Sequence, residues 1–427
     1  MSFPEEINLF QHIWRLVKRG QFVFYLSFLE KLIYFIIFVL LARRYSTTEY
    51  GLFISVFALG NILVASSELG FANYFQRETA SGRDNLSEEF NSVFSFRLIT
   101  FFIILLFAFL YFSSEPAGLT LVVIIIAAIF VFNSSWIIIK IFYGLNQYHS
   151  VFNRFLISRG ILIVSAIILL ALNVSLTLLS ISFLLSAISE FLLFIFKLIK
   201  ENIVKFRVDL KTNILKKILV SSIPMGMSAF FVMVYDRIDV LLIQKIISLE
   251  AVSFYAIAYS LYKIPSIFIP IVLTPLFTDL SSEFEKNKKI DLSILKNLSL
   301  LLLILSVCSI ITIYFLADVL IGLTYGDKYL SSTNLLILLV FALPFLFLNN
   351  LTGVILNSIK KEKVAFYSAV IAAIFNILIN VLLLNFVGIE GAVVSTIITE
   401  ILILLIQFNY LLKFKMNFFS NIQNQNE

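Results

Sequence analysis

Apolar runs of about 20 residues alternate with short polar segments along almost the whole chain. A helix of about 20 residues is long enough to cross the hydrocarbon core of a bilayer. The pattern therefore predicts twelve membrane-spanning helices. They cover residues 21–43, 51–73, 94–113, 118–139, 151–172, 176–197, 219–246, 251–278, 298–321, 333–357, 364–386 and 389–412. The longest segments between them, 74–93, 198–218 and 279–297, are rich in charge.

The first apolar run is a membrane span rather than a secretory signal peptide. The run from Phe22 to Ala42 is too long for the apolar part of a signal peptide, and it ends in Arg43 and Arg44. No small-residue cleavage site is visible in this region. We therefore expect residues 21–43 to form the first span.

Lysine and arginine are distributed unevenly between the two sides of the membrane. Counted from a cytoplasmic N-terminus, 23 of the 32 lie in inner segments, Arg97 and Lys140 among them, and 4 lie in outer segments. The other five lie within predicted spans. Cytoplasmic segments of membrane proteins carry an excess of Lys and Arg. Both termini are therefore predicted to be cytoplasmic, and the number of spans to be even.

Composition supports a membrane protein and excludes several other classes. The chain is 60% hydrophobic and 14% charged, whereas soluble domains carry about 25% charged residues. The net charge of +6 reflects the basic inner segments rather than nucleic-acid binding. Cys308 is the only cysteine, and His12 and His149 are the only histidines. We expect no internal disulfide, no metal site and no cofactor.

A weak internal repeat divides the chain into halves. Leu40, Leu41, Glu49 and Phe53 align at an offset of 201 residues with Leu241, Leu242, Glu250 and Phe254. Six predicted spans lie on each side of the basic segment 198–218. The predicted fold is an all-α polytopic membrane protein with two six-helix bundles, 1–205 and 206–427, related by pseudo-two-fold symmetry. Repeated halves with a central site are a common transporter plan.

Carboxylates within the predicted spans are candidates for H⁺ or Na⁺ coupling. They are Glu30, Glu68, Asp236, Asp239, Glu190 and Glu400. A charge at membrane depth costs at least about 2.5–3.5 kcal/mol on insertion scales, so it usually faces a wet cavity or a partner. Asp236 and Asp239 share a helix face, and they either bind a cation or neutralise nearby basic residues. Glu190 and Glu400 fit a structural role equally well.

Tyr255, Tyr259 and Tyr262 recur at helical spacing before Lys263. Their rings and hydroxyls suit contacts to sugar or pyrophosphate, but a stripe at this spacing also fits helix packing. Proline recurs at positions 265, 270 and 275 of the same span and is expected to bend it. Asparagines in the later spans are expected to form hydrogen bonds between helices.

The sequence contains no catalytic signature. It has no P-loop, no cluster of metal ligands and no outer segment long enough for a polymerase or glycosyltransferase site. We therefore expect a transporter and not an enzyme. Two alternatives stay open: a cation-coupled exporter of small drugs and, less favoured, a polysaccharide polymerase.

Four segments resemble the polysaccharide-exporting flippases of the multidrug/oligosaccharidyl-lipid/polysaccharide (MOP) superfamily. The first is YDRIDVLLIQKIISLEAVSFYAIAYSLYKIP, which ends at Pro265. The second is STTEYGLFISVFALGNILVASSELGFANYFQRE at 46–78. The others are LTPLFTDLSSEF at 273–284 and the stretch 356–400. In order and spacing they are most similar to the O-antigen or repeat-unit (Wzx-type) flippases.

The resemblance implies a V-shaped cavity between spans one and seven. It also implies export of undecaprenyl-pyrophosphate-linked oligosaccharide from the inner to the outer leaflet of a bacterial or archaeal cytoplasmic membrane. A cationic cavity would accept the pyrophosphate and sugars, and its candidates here are Lys31, Arg154, Arg159, Arg237 and Lys263. The implied partners are the lipid-linked oligosaccharide, membrane lipids, and polymerase and chain-length proteins of the same pathway.

Overall fold

The computed structural model describes residues 9–82, 86–113, 118–287 and 292–423, and all regular structure in these ranges is helical. Sixteen α-helices fall into two compact units. The central unit is Ile36–Ser253, and the terminal unit is the chain up to Phe35 together with Phe254 onward. Helix α1 (Leu9–Arg44) contributes residues to both units. The predicted division into bundles 1–205 and 206–427 stays a prediction.

The central unit is built around one long apolar helix. Its helices are α2 (Thr47–Glu68), α3 (Phe71–Ala80), α4 (Leu86–Tyr111), α5 (Leu119–Gly144), α6 (Tyr148–Ala171), α7 (Leu176–Leu179), α8 (Ile181–Lys200) and α9 (Thr212–Ile246). Helix α5 packs against α2, α3 and α8, while α9 packs against α2, α3 and α4. The α5 residues Ile138, Ile141 and Phe142 are fully buried in this packing, so burial of apolar side chains stabilises the centre of the unit.

Local sequence signals explain where helices of the central unit begin and break. Ser46 and Glu49 form a reciprocal capping box at the start of α2. Helix α2 ends at Glu68, and the next two residues, Leu69 and Gly70, both have left-handed backbone conformations. Helix α9 is bent by 55° beside Pro224, because a proline inside a helix removes a backbone hydrogen bond and clashes with the preceding turn.

The terminal unit contains the remaining helices. They are α10 (Leu249–Tyr262), α11 (Ile269–Asn287), α12 (Leu292–Thr324), α13 (Ser332–Leu339), α14 (Leu343–Ser358), α15 (Glu362–Val387) and α16 (Glu390–Gln423), of which the first five residues of α10 belong to the central unit. Helix α14 packs against α11, α12 and α16, and α15 packs against α16. The predicted proline bend appears as a complete break, since a 3₁₀ segment over Ile264–Phe268 separates α10 from α11.

The described helices account for the predicted spans. Ten apolar helical stretches, three of which join two consecutive α-helices, are long enough to cross a membrane, and the bent helix α9 makes eleven. They cover predicted spans two to twelve, and α1 covers the first. The charged segment 74–93 is not a simple loop, because it contains the end of α3 and the start of α4.

Candidate functional site

Helix α9 carries three of the predicted site residues close together. The Asp236 carboxylate lies 3.3 Å from Nε of Arg237, and both side chains are half-buried. Asp239 is only 2% exposed. The structure therefore pairs Arg237 with Asp236, and Asp239 is the more deeply buried of the two carboxylates. A buried carboxylate within a membrane span is the expected position for a coupling ion or a structural counter-charge.

The tyrosine stripe of α10 is largely packed inside the terminal unit. Tyr255 and Tyr262 are buried, and the Tyr255 hydroxyl lies 3.2 Å from Oγ1 of Thr396 on α16. Tyr259 is half-buried, with ring centroids 5.7 Å from Tyr255 and 5.6 Å from Tyr262. Tyr255 and Tyr262 are therefore packed and Tyr259 is half-buried, and a substrate role of the three tyrosines stays a prediction.

Lys31 and Lys263 lie within range of each other's charge in the terminal unit. Lys263 follows α10, and its Nζ lies 5.0 Å from the ring centroid of Tyr259. Lys31 on α1 is exposed and close enough to Lys263 for the two charges to repel, while the adjacent Glu30 attracts it. An anion between the two ammonium groups would remove this repulsion. Binding of an anionic group by these two lysines stays a prediction.

Arg159 on α6 and Glu190 on α8 form a buried ion pair inside the central unit. An Nη1-to-Oε2 distance of 2.9 Å joins them. The Arg159 guanidinium lies 4.6 Å from the Phe132 ring centroid and 4.7 Å from that of Phe155. The Ser158 hydroxyl donates to Glu190 at 2.9 Å. Mutual compensation of two buried charges fits a packing role. The substrate role of Arg159 and the coupling role of Glu190 stay predictions.

Arg154 is bonded to neighbouring helix backbones. Its Nη1 donates to the carbonyl oxygen of Ser150 at 3.0 Å, and its Nε donates to the Leu193 carbonyl at 3.3 Å. The side chain is half-buried. Ser150 lies on α6 itself, so the bond to Leu193 is the one that joins α6 to α8, and a contact between Arg154 and a substrate stays a prediction.

Glu68, the last residue of α2, caps the start of α3. Its two carboxylate oxygens accept hydrogen bonds from the backbone N–H groups of Gly70 at 2.8 Å and Ala72 at 2.7 Å. The first N–H groups of a helix have no partner within the helix. The main observed contact of Glu68 is therefore structural, and its role in ion coupling stays a prediction.

Two basic residues that the charge count assigned to inner segments, Arg97 and Lys140, lie inside the central unit. Arg97 on α4 is 1% exposed and lies 4.9 Å from the ring centroid of Phe130. Lys140 on α5 donates to the Gln76 side-chain oxygen at 3.0 Å. Both are close enough to Glu68 to be attracted by its charge. The burial of Arg97 could have been predicted from the sequence, because Arg97 is the single basic residue within the apolar run FSFRLITFF.

Glu400 and the asparagines of the terminal unit join helices through hydrogen bonds. The Asn349 amide donates to Oε2 of buried Glu400 at 2.6 Å, which links α14 to α16. The Asn380 amide donates to the Ser395 hydroxyl at 2.8 Å, and that of Asn376 donates to the same hydroxyl at 3.4 Å. The prediction of hydrogen bonds between helices is therefore confirmed at these asparagines.

Solved structures with a similar fold are membrane transport proteins. The lipid II flippase MurJ in an inward closed conformation has a TM-score of 0.70 and 19% identity, over 91% of this chain and 87% of that chain. A multidrug resistance MATE family transporter of the MOP superfamily, in an inward-facing conformation, has a TM-score of 0.65 and 14% identity, over 90% and 95%. A MOP superfamily transporter from Pyrococcus furiosus has a TM-score of 0.62 and 14% identity, over 94% and 95%. These similarities establish the fold.

Two curated relatives match parts of the sequence. One, from Methanocaldococcus jannaschii, is an uncharacterized membrane protein with 31% identity over 35% of this chain. The other is a probable low-salt glycan biosynthesis flippase of Haloferax volcanii, with 23% identity over 42% of this chain. The chain spans 29% and 38% of the length of these two relatives.

Family models cover most of the chain. The model described as polysaccharide biosynthesis protein matches residues 16–281, which is more than half of the sequence. The MatE model matches residues 224–382. The helical fold and the buried charges are consistent with the family that these matches identify. The chain belongs to the polysaccharide biosynthesis protein family of the MOP superfamily, and it is an all-α, multi-pass membrane protein.

Proposed function

We propose that the protein is a flippase for undecaprenyl-pyrophosphate-linked oligosaccharide repeat units. It moves them from the inner to the outer leaflet of the cytoplasmic membrane by alternating access, for assembly of surface polysaccharide. The family, the fold and the glycan flippase among its relatives support transport of a lipid-linked glycan. The observation that supports the substrate class is the contact of the Lys263 ammonium with the Tyr259 ring, within range of the Lys31 charge.

The two lysines suit a pyrophosphate because its negative charges would neutralise both ammonium groups at once. Opposite charges in a partly dehydrated site attract more strongly than in water. Half-buried Tyr259 lies next to Lys263 and is the candidate contact for an adjacent sugar. Lys31 and Lys263 therefore take the role of pyrophosphate-binding residues in the proposal, and Tyr259 that of a sugar contact.

Transport without a nucleotide site draws on a gradient or on consumption of the product outside. An inside-negative potential contributes about 2.3 kcal/mol per charge per 100 mV, and it favours outward movement of an anionic pyrophosphate. Buried Asp239 is the first candidate for H⁺ or Na⁺ exchange during the return step. No cofactor and no catalytic step are part of the proposal, and both termini are cytoplasmic in it. Polymerase and chain-length proteins of the pathway would act on the exported product.

A flipping assay in reconstituted vesicles tests the substrate assignment. The substrate is a fluorescent lipid-linked oligosaccharide, and the variants are Lys31→Gln and Lys263→Gln. We expect each to slow flipping about tenfold, since a lost charge contact worth about 1.4 kcal/mol changes a rate by that factor. Lys363→Gln, at an exposed position on α15, is the matched control and should flip at the wild-type rate.

The double variant sharpens the test. If both lysines hold one pyrophosphate, their effects should not add, because either substitution already disrupts the shared contact. Wild-type flipping by both single variants would refute the assignment of these residues. Loss of folded protein would show instead that the lysines act in packing, so thermal unfolding is measured on the same samples.

A cation-coupled multidrug exporter is the second candidate function. The MatE match over residues 224–382 favours it. A drug exporter would extrude cationic dyes from proteoliposomes in response to an ion gradient and would leave the lipid-linked oligosaccharide unmoved. A polysaccharide polymerase is the least supported alternative, and it would lengthen glycan chains in the same vesicles.

A further inference from the structure

The segment between α8 and α9 lies along the start of α4 without helix or strand, and residues 204–211 of it are called the strap. The Asn91 side chain holds the strap through two bonds, donating to the Lys205 carbonyl at 2.9 Å and accepting from the Arg207 N–H at 3.0 Å. The Lys205 N–H donates to the Ser87 hydroxyl at 3.1 Å. The strap therefore has a defined position on α4.

The strap alternates apolar and charged residues. Phe206, Val208 and Leu210 alternate with Lys205, Arg207, Asp209 and Lys211. Val204 is buried and Phe206 is half-buried, whereas Lys205 and Arg207 are exposed. Phe206 packs on Phe94 of α4, with ring centroids 5.0 Å apart, whereas Val208 is 69% exposed. One face of the strap is thus apolar and continues beyond the packed core, while the other is charged.

An apolar groove of about 540 Å³ lies between the strap and α4. Val208 and Leu210 line one side, and Leu98 and Phe102 of the membrane-spanning helix line the other. Phe102 is 70% exposed. The groove therefore opens on the lipid-facing side of α4, and its walls suit a hydrocarbon chain.

The charged face of the strap adds a headgroup site next to the groove. Lys205 and Arg207 are exposed. Lys211 is bound to Glu88 of α4 at 2.6 Å, so its charge is already compensated. Asp209 is the only carboxylate in the strap. The strap thus places two exposed basic residues beside an apolar groove at the end of a membrane span.

We propose that this groove and strap form a binding site for an anionic phospholipid of the adjacent leaflet. One acyl chain occupies the groove between Phe102 and Val208, and the phosphate lies near Lys205 and Arg207. Juxtamembrane basic residues attract anionic lipids. The site goes beyond the flippase function, because it is formed by α4 and the strap and contains no residue of the proposed substrate site. A zwitterionic lipid would fill the groove equally well but would not use the two cations.

Quenching of tryptophan fluorescence by brominated lipids tests the selectivity. Trp14 and Trp136 are replaced by Phe in the full chain, and Phe102→Trp introduces a reporter in the groove. Phe386→Trp, on α15 and 80% exposed, gives a matched reporter elsewhere on the lipid-facing surface. At equal mole fraction, brominated phosphatidylglycerol should quench the groove reporter about twofold more than brominated phosphatidylcholine. At position 386 both lipids should quench alike.

Charge variants identify the headgroup contact. Lys205→Gln with Arg207→Gln should remove the excess quenching at position 102. Lys216→Gln with Lys217→Gln removes the same amount of charge from exposed positions of α9. This control pair should leave the excess quenching at position 102 unchanged. Equal quenching by the two lipids at position 102, or excess that survives the Lys205 and Arg207 changes, would overturn the proposal. If equimolar lipid-linked oligosaccharide displaced the brominated lipid, the proposal would be overturned, because the groove would then bind the lipid chain of the transport substrate.

Discussion

Gly70 and Gly226 meet backbone to backbone inside the central unit. A Cβ atom built on Gly226 would lie 2.2 Å from the backbone nitrogen of Gly70. Gly70 follows the end of α2 with φ of +82°, and Gly226 follows the bend of α9 beside Pro224. The two helix irregularities are therefore in direct contact, and only hydrogen fits at both Cα positions.

Gly226→Ala should destabilise the protein. The added methyl would overlap the backbone of Leu69 and Gly70, which cannot move aside as a flexible side chain can. Overpacking of this kind costs about 1–3 kcal/mol. Gly160→Ala on α6 is the control, since a Cβ there meets no atom within 4 Å, and alanine favours a helix over glycine by about 1 kcal/mol. In detergent, the midpoint of thermal unfolding should be lower for Gly226→Ala than for Gly160→Ala or the wild-type protein. Equal midpoints for the two variants would contradict the close approach.

Glu190→Gln should reduce the amount of folded protein. The substitution leaves the Arg159 guanidinium buried without its counter-charge. Removing one partner of a buried pair costs about 3–5 kcal/mol. The double variant Arg159→Met with Glu190→Met removes both charges and should recover most of the stability. Yield and thermal unfolding measure the effect. A Glu190→Gln protein that is as stable as wild type but no longer responds to an ion gradient would assign Glu190 to coupling instead.

Asp239→Asn should abolish any dependence of flipping on an ion gradient, whereas Glu68→Gln should preserve it. Asp239 is a buried carboxylate, and the observed role of Glu68 is to cap α3. Glutamine retains one oxygen acceptor for the cap, so its stability loss should be smaller than the roughly 0.5–2 kcal/mol typical of losing a cap. Flipping is followed in vesicles with and without an imposed H⁺ or Na⁺ gradient. If Glu68→Gln abolished the dependence on the gradient and Asp239→Asn preserved it, Glu68 would be the coupling residue.

Cysteine labelling should place Lys205 inside the cell and Lys328 outside. Both positions are exposed, and the background is Cys308→Ser, which removes the native exposed cysteine. An impermeant thiol reagent should label Lys328→Cys in intact cells, and only a permeant reagent should label Lys205→Cys. The expectation follows from the excess of basic residues in inner segments. Labelling of position 205 from outside would reverse the orientation.

The sequence alone determined the helical spans because bilayer thickness sets a minimum length for each apolar run. It also located the irregularity around Pro265, since proline acts on its own turn of helix. It did not reveal α3, a ten-residue helix. A helix that short cannot span the membrane, and its mixed composition resembles that of a charged loop.

Only the tertiary structure decided which charges meet. The sequence marked Arg159, Glu190, Lys31 and Lys263 separately, but partners on different helices depend on how those helices rotate and pack. The structure turned Arg159 toward Glu190 within the central unit and brought Lys31 near Lys263 within the terminal unit. Hydrophobicity determines that a helix enters the membrane, whereas close packing and the cost of an uncompensated buried charge determine its neighbours.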